Sequence, residues 1–207
     1  MARRTRNGQV GMMFVPPFLM LSDLTRQSGN QADWGAELQA AISAQPLCVG
    51  LVLRDYAHPA RAELAAHLAA SCRRQGRYFS IAGDARLAAR YGAAFHCPSF
   101  MLARSHLQRA PQRAPLRSDT AAVHNMAELI TAKRAGFGAV LISPVFATAS
   151  HAAAKPLGVA RAVPLLRAAR HMGMRAYALG GMNGQSWHRL GGFGVADGFA
   201  AIDAFAL

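Results

Sequence analysis

The 207 residues are 52% hydrophobic and 16% charged, a composition that excludes a disordered chain and is long enough for one sizeable core. The formal net charge of +13 comes from 23 basic against 10 acidic residues. Only Lys133 and Lys155 are lysines, and the arginines are scattered without interleaved aromatics, which suits anionic ligands better than a nucleic-acid interface.

No apolar run reaches membrane-spanning length. The tract from Val10 to Leu21 follows Arg3, Arg4 and Arg6, but Pro16 and Pro17 interrupt it and no small-residue cleavage site follows, so a cytoplasmic chain is expected. Cys48, Cys72 and Cys97 are odd in number and widely spaced, reading as small hydrophobes in a reducing compartment, with no zinc spacing.

Residues 1–15 read as an N-terminal extension and 16–207 as one domain. Phe18 to Leu21 reads as a first strand and Ala32 to Gln45 as a helix with Trp34, Leu38, Ala41 and Ile42 on one face. Leu47 to Leu53 is a continuous apolar run, as in a strand covered on both sides. Pro59 suits the first turn of a helix reaching about Gln75. Tyr78 to Ala82 and Asp84 to Tyr91 make a third strand–helix unit, and Ala93 to His96 a fourth strand. The stretch to Arg117, broken by Pro111 and Pro115, is the least legible.

A fifth strand ends near Val123-His124. Asn125, with Glu128 three residues on, caps a helix that closes at Gly136. Ala139 to Ser143 is a sixth strand, Pro144 to Pro156 a long loop, and Val159 to Met172 a helix with Pro164 in its first turn or at a kink. Arg175 to Leu179 ends in Gly180-Gly181, and Val195 to Phe199 is an eighth strand with almost no room for a helix after it. The alternation predicts a single-domain α/β fold, a (β/α)₈ TIM barrel with a shortened last helix. The seam is expected to be covered by the N-terminal extension or by a second subunit in a homodimer.

Strand C-terminal ends supply the active site of such a barrel. Gly180 and Gly181 can present bare backbone N–H groups to a phosphate, and the helix expected after Gly198, carrying Ala200 and Ile202, adds an N-terminus where an anion is favoured. His124, between the fifth strand and the cap Asn125, sits at the rim, where an imidazole can accept and donate a proton at neutral pH. Arg54 at the end of the second strand is a cation suited to an anionic ligand, the alternative being an ion pair with Asp55 or another rim acid. His96 is expected to pack or bond to backbone.

Three segments resemble the thiamine-phosphate synthases and their thiazole tautomerase relatives. Ser143-Pro144-Val145-Phe146-Ala147-Thr148-Ala149-Ser150-His151, followed by Pro156-Leu157-Gly158, is similar to that family's loop after strand six. Ala178-Leu179-Gly180-Gly181-Met182 looks like its strand-seven end, and Ala196-Asp197-Gly198-Phe199-Ala200-Ala201-Ile202 like its strand eight; Val123-His124 and His96 match two further positions. The resemblance implies thiamine biosynthesis and a small phosphorylated heterocyclic ligand, thiazole phosphate or thiamine phosphate. Phe146 would wall the ring pocket, and Thr148 and His151 would reach the phosphate.

The family's synthases are transferases that join a pyrimidine pyrophosphate to a thiazole phosphate using Mg²⁺. Their Asn-Asp after strand three corresponds to Ala82 and Gly83, leaving Asp84 as a weak metal candidate. Their Asp after strand four is replaced within Cys97-Pro98-Ser99-Phe100-Met101. Of Gln-x-Arg-x-Lys on strand two only Arg54 remains, and Ala122, His151 and Asp203 stand where the family has Ser, Lys and Ser. Mg²⁺ prefers one or two carboxylates plus phosphate, so magnesium is expected only if synthase chemistry survives. The preferred reading is tautomerase-like proton transfer through His124. A divergent synthase and a non-catalytic ligand- or nucleic-acid-binding barrel are the alternatives.

Overall fold

The computed structural model describes residues 14–23, 34–102, 118–148, 155–202 and 204–205. Eight parallel strands form a closed barrel in the order β1 to β8. They are β1 (Phe18–Leu21), β2 (Val49–Leu53), β3 (Phe79–Ala82), β4 (Ala94–Cys97), β5 (Thr120–Val123), β6 (Ala139–Ile142), β7 (Arg175–Leu179) and β8 (Gly198–Ala201). The intervening helices are α1 (Trp34–Ala44), α2 (Arg61–Arg74), α3 (Ala85–Tyr91), α4 (Ser99–Leu102), α5 (Met126–Arg134), α6 (Gly158–His171) and α7 (Gly184–Leu190). Closure is made by β1 pairing with β8, Phe18 opposite Phe199.

Strand alternation splits the buried side chains into two cores. Leu19, Leu21, Val52, Tyr78, Ala82, Ala94, Ala139, Leu141, Tyr177 and Ala200 fill the lumen, as expected for a barrel whose interior is packed rather than hollow. The opposite strand faces join helix residues such as Trp34, Leu38, Leu68, Leu129 and Leu166 in the larger core.

The described residues before β1, 14–17, pack onto the barrel. Val15 is buried within the lumen cluster, and its carbonyl accepts hydrogen bonds from the Tyr177 hydroxyl (3.0 Å) and the Arg175 guanidinium. The Pro17 carbonyl accepts from Phe199 N at 3.0 Å. Aromatic rings gather over β8: Phe205 stacks on Phe199 with centroids 5.8 Å apart, and Trp187 packs against both Phe193 and Phe199.

Several expected boundaries move for identifiable reasons. Pro59 lies outside α2, which begins two residues later. Pro164 lies in the interior of α6 rather than in its first turn, because the helix already begins at Gly158. The eighth strand runs from Gly198 to Ala201, not from Val195 to Phe199. Gly192–Gly194 form a 3₁₀ turn, and the chain from Val195 to Asp197 leads from it into the strand. Helix α7 shows no long apolar stripe; it is set by a capping box between Asn183 and Ser186 and by a left-handed Gly191 at its end. Cys72 and Cys97 are buried, with thiols pushed up to about 11 and about 12 by burial, whereas Cys48 is exposed.

Arginine has a structural use in this chain. Arg77 donates to the carbonyls of Gln45, Pro46 and Val49, Arg61 to those of Asp55 and Ala82, and Arg73 to that of Tyr91. The guanidinium fork can bind several loop carbonyls at once, which an ammonium does with less fixed geometry.

Candidate active site

A cavity of about 470 Å³ opens at the C-terminal ends of the strands, lined by Arg54, Ser99, His124, Thr148, Lys155 and the Leu179–Met182 turn, among others. Position and size suit a small ligand.

His124 follows β5, one residue beyond the last ladder position, and faces the mouth. Its backbone N–H donates to Glu128 Oε2 at 2.8 Å, while the Asn125 side chain caps α5 by accepting from Glu128 N at 2.9 Å. The ring is held at both nitrogens: Nδ1 lies 2.6 Å from the Ser143 carbonyl oxygen and Nε2 lies 2.9 Å from Ser99 Oγ. A carbonyl only accepts, so Nδ1 carries the hydrogen; in the neutral ring Nε2 is then the acceptor and the Ser99 hydroxyl donates to it. The imidazole is thereby oriented with its basic nitrogen toward the cavity-lining Ser99.

Gly180 and Gly181 follow β7 at φ +94° and +62°, where a side chain is disfavoured. A Cβ on Gly181 would stand 2.6 Å from the Ala147 carbonyl oxygen, and one on Gly180 would stand 2.8 Å from Pro144 Cα. These glycines therefore let the β7 turn lie against the loop after β6, a contact stitched by Phe146 N donating to Gly180 O at 3.0 Å.

The rest of the mouth is cationic and hydroxylic. Arg54 at the end of β2 lies 3.3 Å from Asp23, a rim acid other than Asp55; Asp55 accepts from Trp34 Nε1 at 3.2 Å. Lys155 and Thr148 also line the cavity. His96 is buried below, 2.8 Å from Thr120 Oγ1. Burial first, and then the Arg54 charge, lower its pKa to about 4, so it is neutral at physiological pH.

A family model described as thiamine monophosphate synthase matches residues 24–205. The chain belongs to that family. Among solved structures, thiamine phosphate pyrophosphorylase from Pyrococcus furiosus is similar with a TM-score of 0.66 at 16% identity, covering 92% of this chain and 86% of that one. Deoxyribose phosphate aldolase from Aeropyrum pernix is similar with a TM-score of 0.57 at 14% identity (93% and 87% covered). The 2-keto-3-deoxy-6-phospho-gluconate aldolase from Zymomonas mobilis gives 0.55 at 14% identity (91% and 83%). At these identities the likenesses show the fold. Comparison with curated proteins found no match.

Within this thiamine-biosynthesis family barrel, the expected site residues divide. Arg54, His124, Thr148, Gly180, Gly181 and Ile202 share the cavity lining. Gly198 does not. It is the first residue of β8, opposite Tyr177 of β7, and so lies roughly 13 Å of strand below Gly181 at about 3.3 Å per residue. Among the described residues a strand rather than a helix starts at it, and its missing side chain makes room for Pro17. Ala200 is buried in the lumen, beneath the cavity rather than in its wall. Phe146 turns away from the cavity lining and lies under the Arg189 guanidinium, 5.2 Å from its ring centroid. His151 and Asp203 lie outside the described residues.

Ser99 and Lys155 were not singled out from the sequence. A hydroxyl placed directly after a strand's C-terminal end, and one of only two lysines beside the family-like loop, were the available signals.

The described residues do not fit a magnesium–diphosphate site. The Asp84 carboxylate accepts from Leu87 N at 2.8 Å as the cap of α3. Asp23 is engaged by Arg54 and Asp55 by Trp34. Among the described residues no three His, Cys, Asp or Glu side chains converge as a metal site. Nor is any described helix long and apolar enough to cross a membrane.

Proposed function

We propose that this chain binds a thiazole phosphate and moves a proton on the heterocycle, as a tautomerase-like isomerase, with His124 as the acid–base group. The observation that carries the reading is one cavity holding an imidazole fixed at both nitrogens alongside a guanidinium, a lysine and the two-glycine turn after β7. A proton shift needs a single group that takes a proton from one atom and returns it to another, and imidazole does both at neutral pH. The phosphate would be held by the Gly180–Gly181 amides together with Lys155 and Thr148, and the ring would lie toward His124 and Arg54.

Synthase chemistry is the weaker reading because the carboxylates that would hold magnesium are absent or engaged elsewhere among the described residues. Incubating purified protein with the carboxythiazole phosphate tautomer and following its isomerisation tests the preferred reading. Turnover that is lost in His124→Ala supports it; turnover unchanged in that variant removes the mechanism. Rescue of a thiamine-requiring, synthase-deficient strain would favour the synthase instead.

A further inference from the structure

We infer that the Ser99 hydroxyl is the atom that exchanges the proton with the ligand, relaying it to and from His124 Nε2. This inference rests on the reading of the cavity as a proton-transfer site, and adds a residue and a route to it.

Three observations carry it. Ser99 lines the cavity, beside the space a ligand would fill. Its Oγ lies 2.9 Å from Nε2, which places the hydroxyl on the one basic nitrogen of the neutral ring. The Ser143 carbonyl, 2.6 Å from Nδ1, fixes the tautomer that makes Nε2 basic. A base paired to a hydroxyl on one side and oriented by a third group on the other is the arrangement that activates a hydroxyl.

The step balances without any further reactant. As the ligand C–H or N–H bond breaks, its proton bonds to Ser99 Oγ; the hydroxyl's own proton passes to Nε2, leaving an imidazolium. Running the transfer backwards onto a different ligand atom restores the neutral ring and completes the isomerisation. Donation from Nδ1 to Ser143 persists throughout and steadies the imidazolium.

The alternative is that Ser99 merely orients the ring and a ligand displaces it, with His124 reacting directly. Two measurements separate these. Nitrogen-15 NMR of the imidazole in the free protein should show Nδ1 protonated and Nε2 bare, with the Nε2 resonance moving in Ser99→Ala. A protonated Nε2 in the neutral ring overturns the relay whatever the turnover.

With the carboxythiazole phosphate tautomer as probe, Ser99→Ala should lower kcat about 100-fold or more with KM little changed, as general acid–base groups typically contribute. Ser99→Thr, which keeps a hydroxyl, should recover most of it. Full kcat in Ser99→Ala overturns the relay. If wild-type protein turns nothing over, the proton-transfer reading fails, while the NMR result still reports the state of the pair.

Discussion

The backbone of Gly198 lies so close to Pro17 that a β-carbon at residue 198 would stand 1.6 Å from the Pro17 carbonyl oxygen. That oxygen is also the acceptor for Phe199 N, so it cannot retreat without breaking the bond that helps join the N-terminal segment to β8. Gly198→Ala therefore forces two backbones apart at the seam of the barrel. The expected result is a loss of about 3 kcal/mol of stability or more, read from the denaturant midpoint. The remote cavity should be less affected, with ligand affinity falling only as the folded fraction falls.

Much of this barrel is legible in sequence because each strand and helix carries its own signal. Phe18 to Leu21 and Arg175 to Leu179 are read at their observed bounds. The Asn125–Glu128 cap is equally visible, since side-chain capping is local chemistry. What escapes reading is three-dimensional. Gly198 reads in sequence as the residue before a helix that could meet an anion, whereas it stands in β8 where Pro17 leaves no space for a side chain. Phe146 belongs to a family-like loop, yet its ring goes to Arg189 on α7, whose placement only the closed barrel fixes. His124 was read at the rim from sequence, but its hold by Ser99 and Ser143 joins residues far apart in the chain.

His96 gives the fold a pH dependence. Its ordinary pKa of 6.5 is lowered to about 4 in the folded chain, chiefly by burial. Above 6.5 the ring is neutral folded or unfolded, and no stability is lost. Between 6.5 and 4 the unfolded chain takes up a proton that the folded chain does not, so stability falls as pH falls, by up to about 1.4 kcal/mol per pH unit. Below 4 this contribution levels off. Unfolding free energies measured from pH 7 to pH 4 should show the decline, and His96→Gln should flatten it by about one proton.

Asp84 separates a metal role from a capping one. As the cap of α3 its carboxylate satisfies Leu87 N, so Asp84→Ala should lower stability by about 1 kcal/mol with or without magnesium. Adding Mg²⁺ to the wild type should leave the melting temperature unchanged. A magnesium-dependent rise that disappears in Asp84→Ala would mean that the carboxylate leaves the helix to hold the ion.

Arg54 lines the cavity and tests whether its cation meets the ligand. Its guanidinium is 19% exposed and pairs with an Asp23 side chain only 8% exposed, so removing the charge takes a partner from a buried carboxylate and should lower stability as well. A charge-assisted contact to an anionic ligand is worth more than a neutral one. Arg54→Met should weaken thiazole phosphate binding about tenfold, measured by calorimetry, with a smaller effect on thiazole alcohol lacking the phosphate if the cation faces that group. Equal weakening of both would place Arg54 against the ring instead.

Gly181 tests whether the turn after β7 forms the anion site. At φ +62° an alanine is strained by its backbone alone, and its Cβ would also press within 2.6 Å of the Ala147 carbonyl and 2.8 Å of Phe146 Cβ. The easiest relief is for the loop after β6 to move away, carrying Thr148 with it. Because that loop and the turn form one wall of the cavity, the amides and the hydroxyl separate together. Gly181→Ala should therefore keep its barrel, seen as an unchanged far-ultraviolet circular dichroism spectrum, but melt lower. It should also lose the rise in melting temperature that saturating thiazole phosphate gives the wild type. Thr148→Val, which removes one hydroxyl and leaves the backbone in place, should lose only part of that rise. A full ligand-induced rise in Gly181→Ala would show that the phosphate sits elsewhere in the cavity, with Lys155→Met the next variant to lose it.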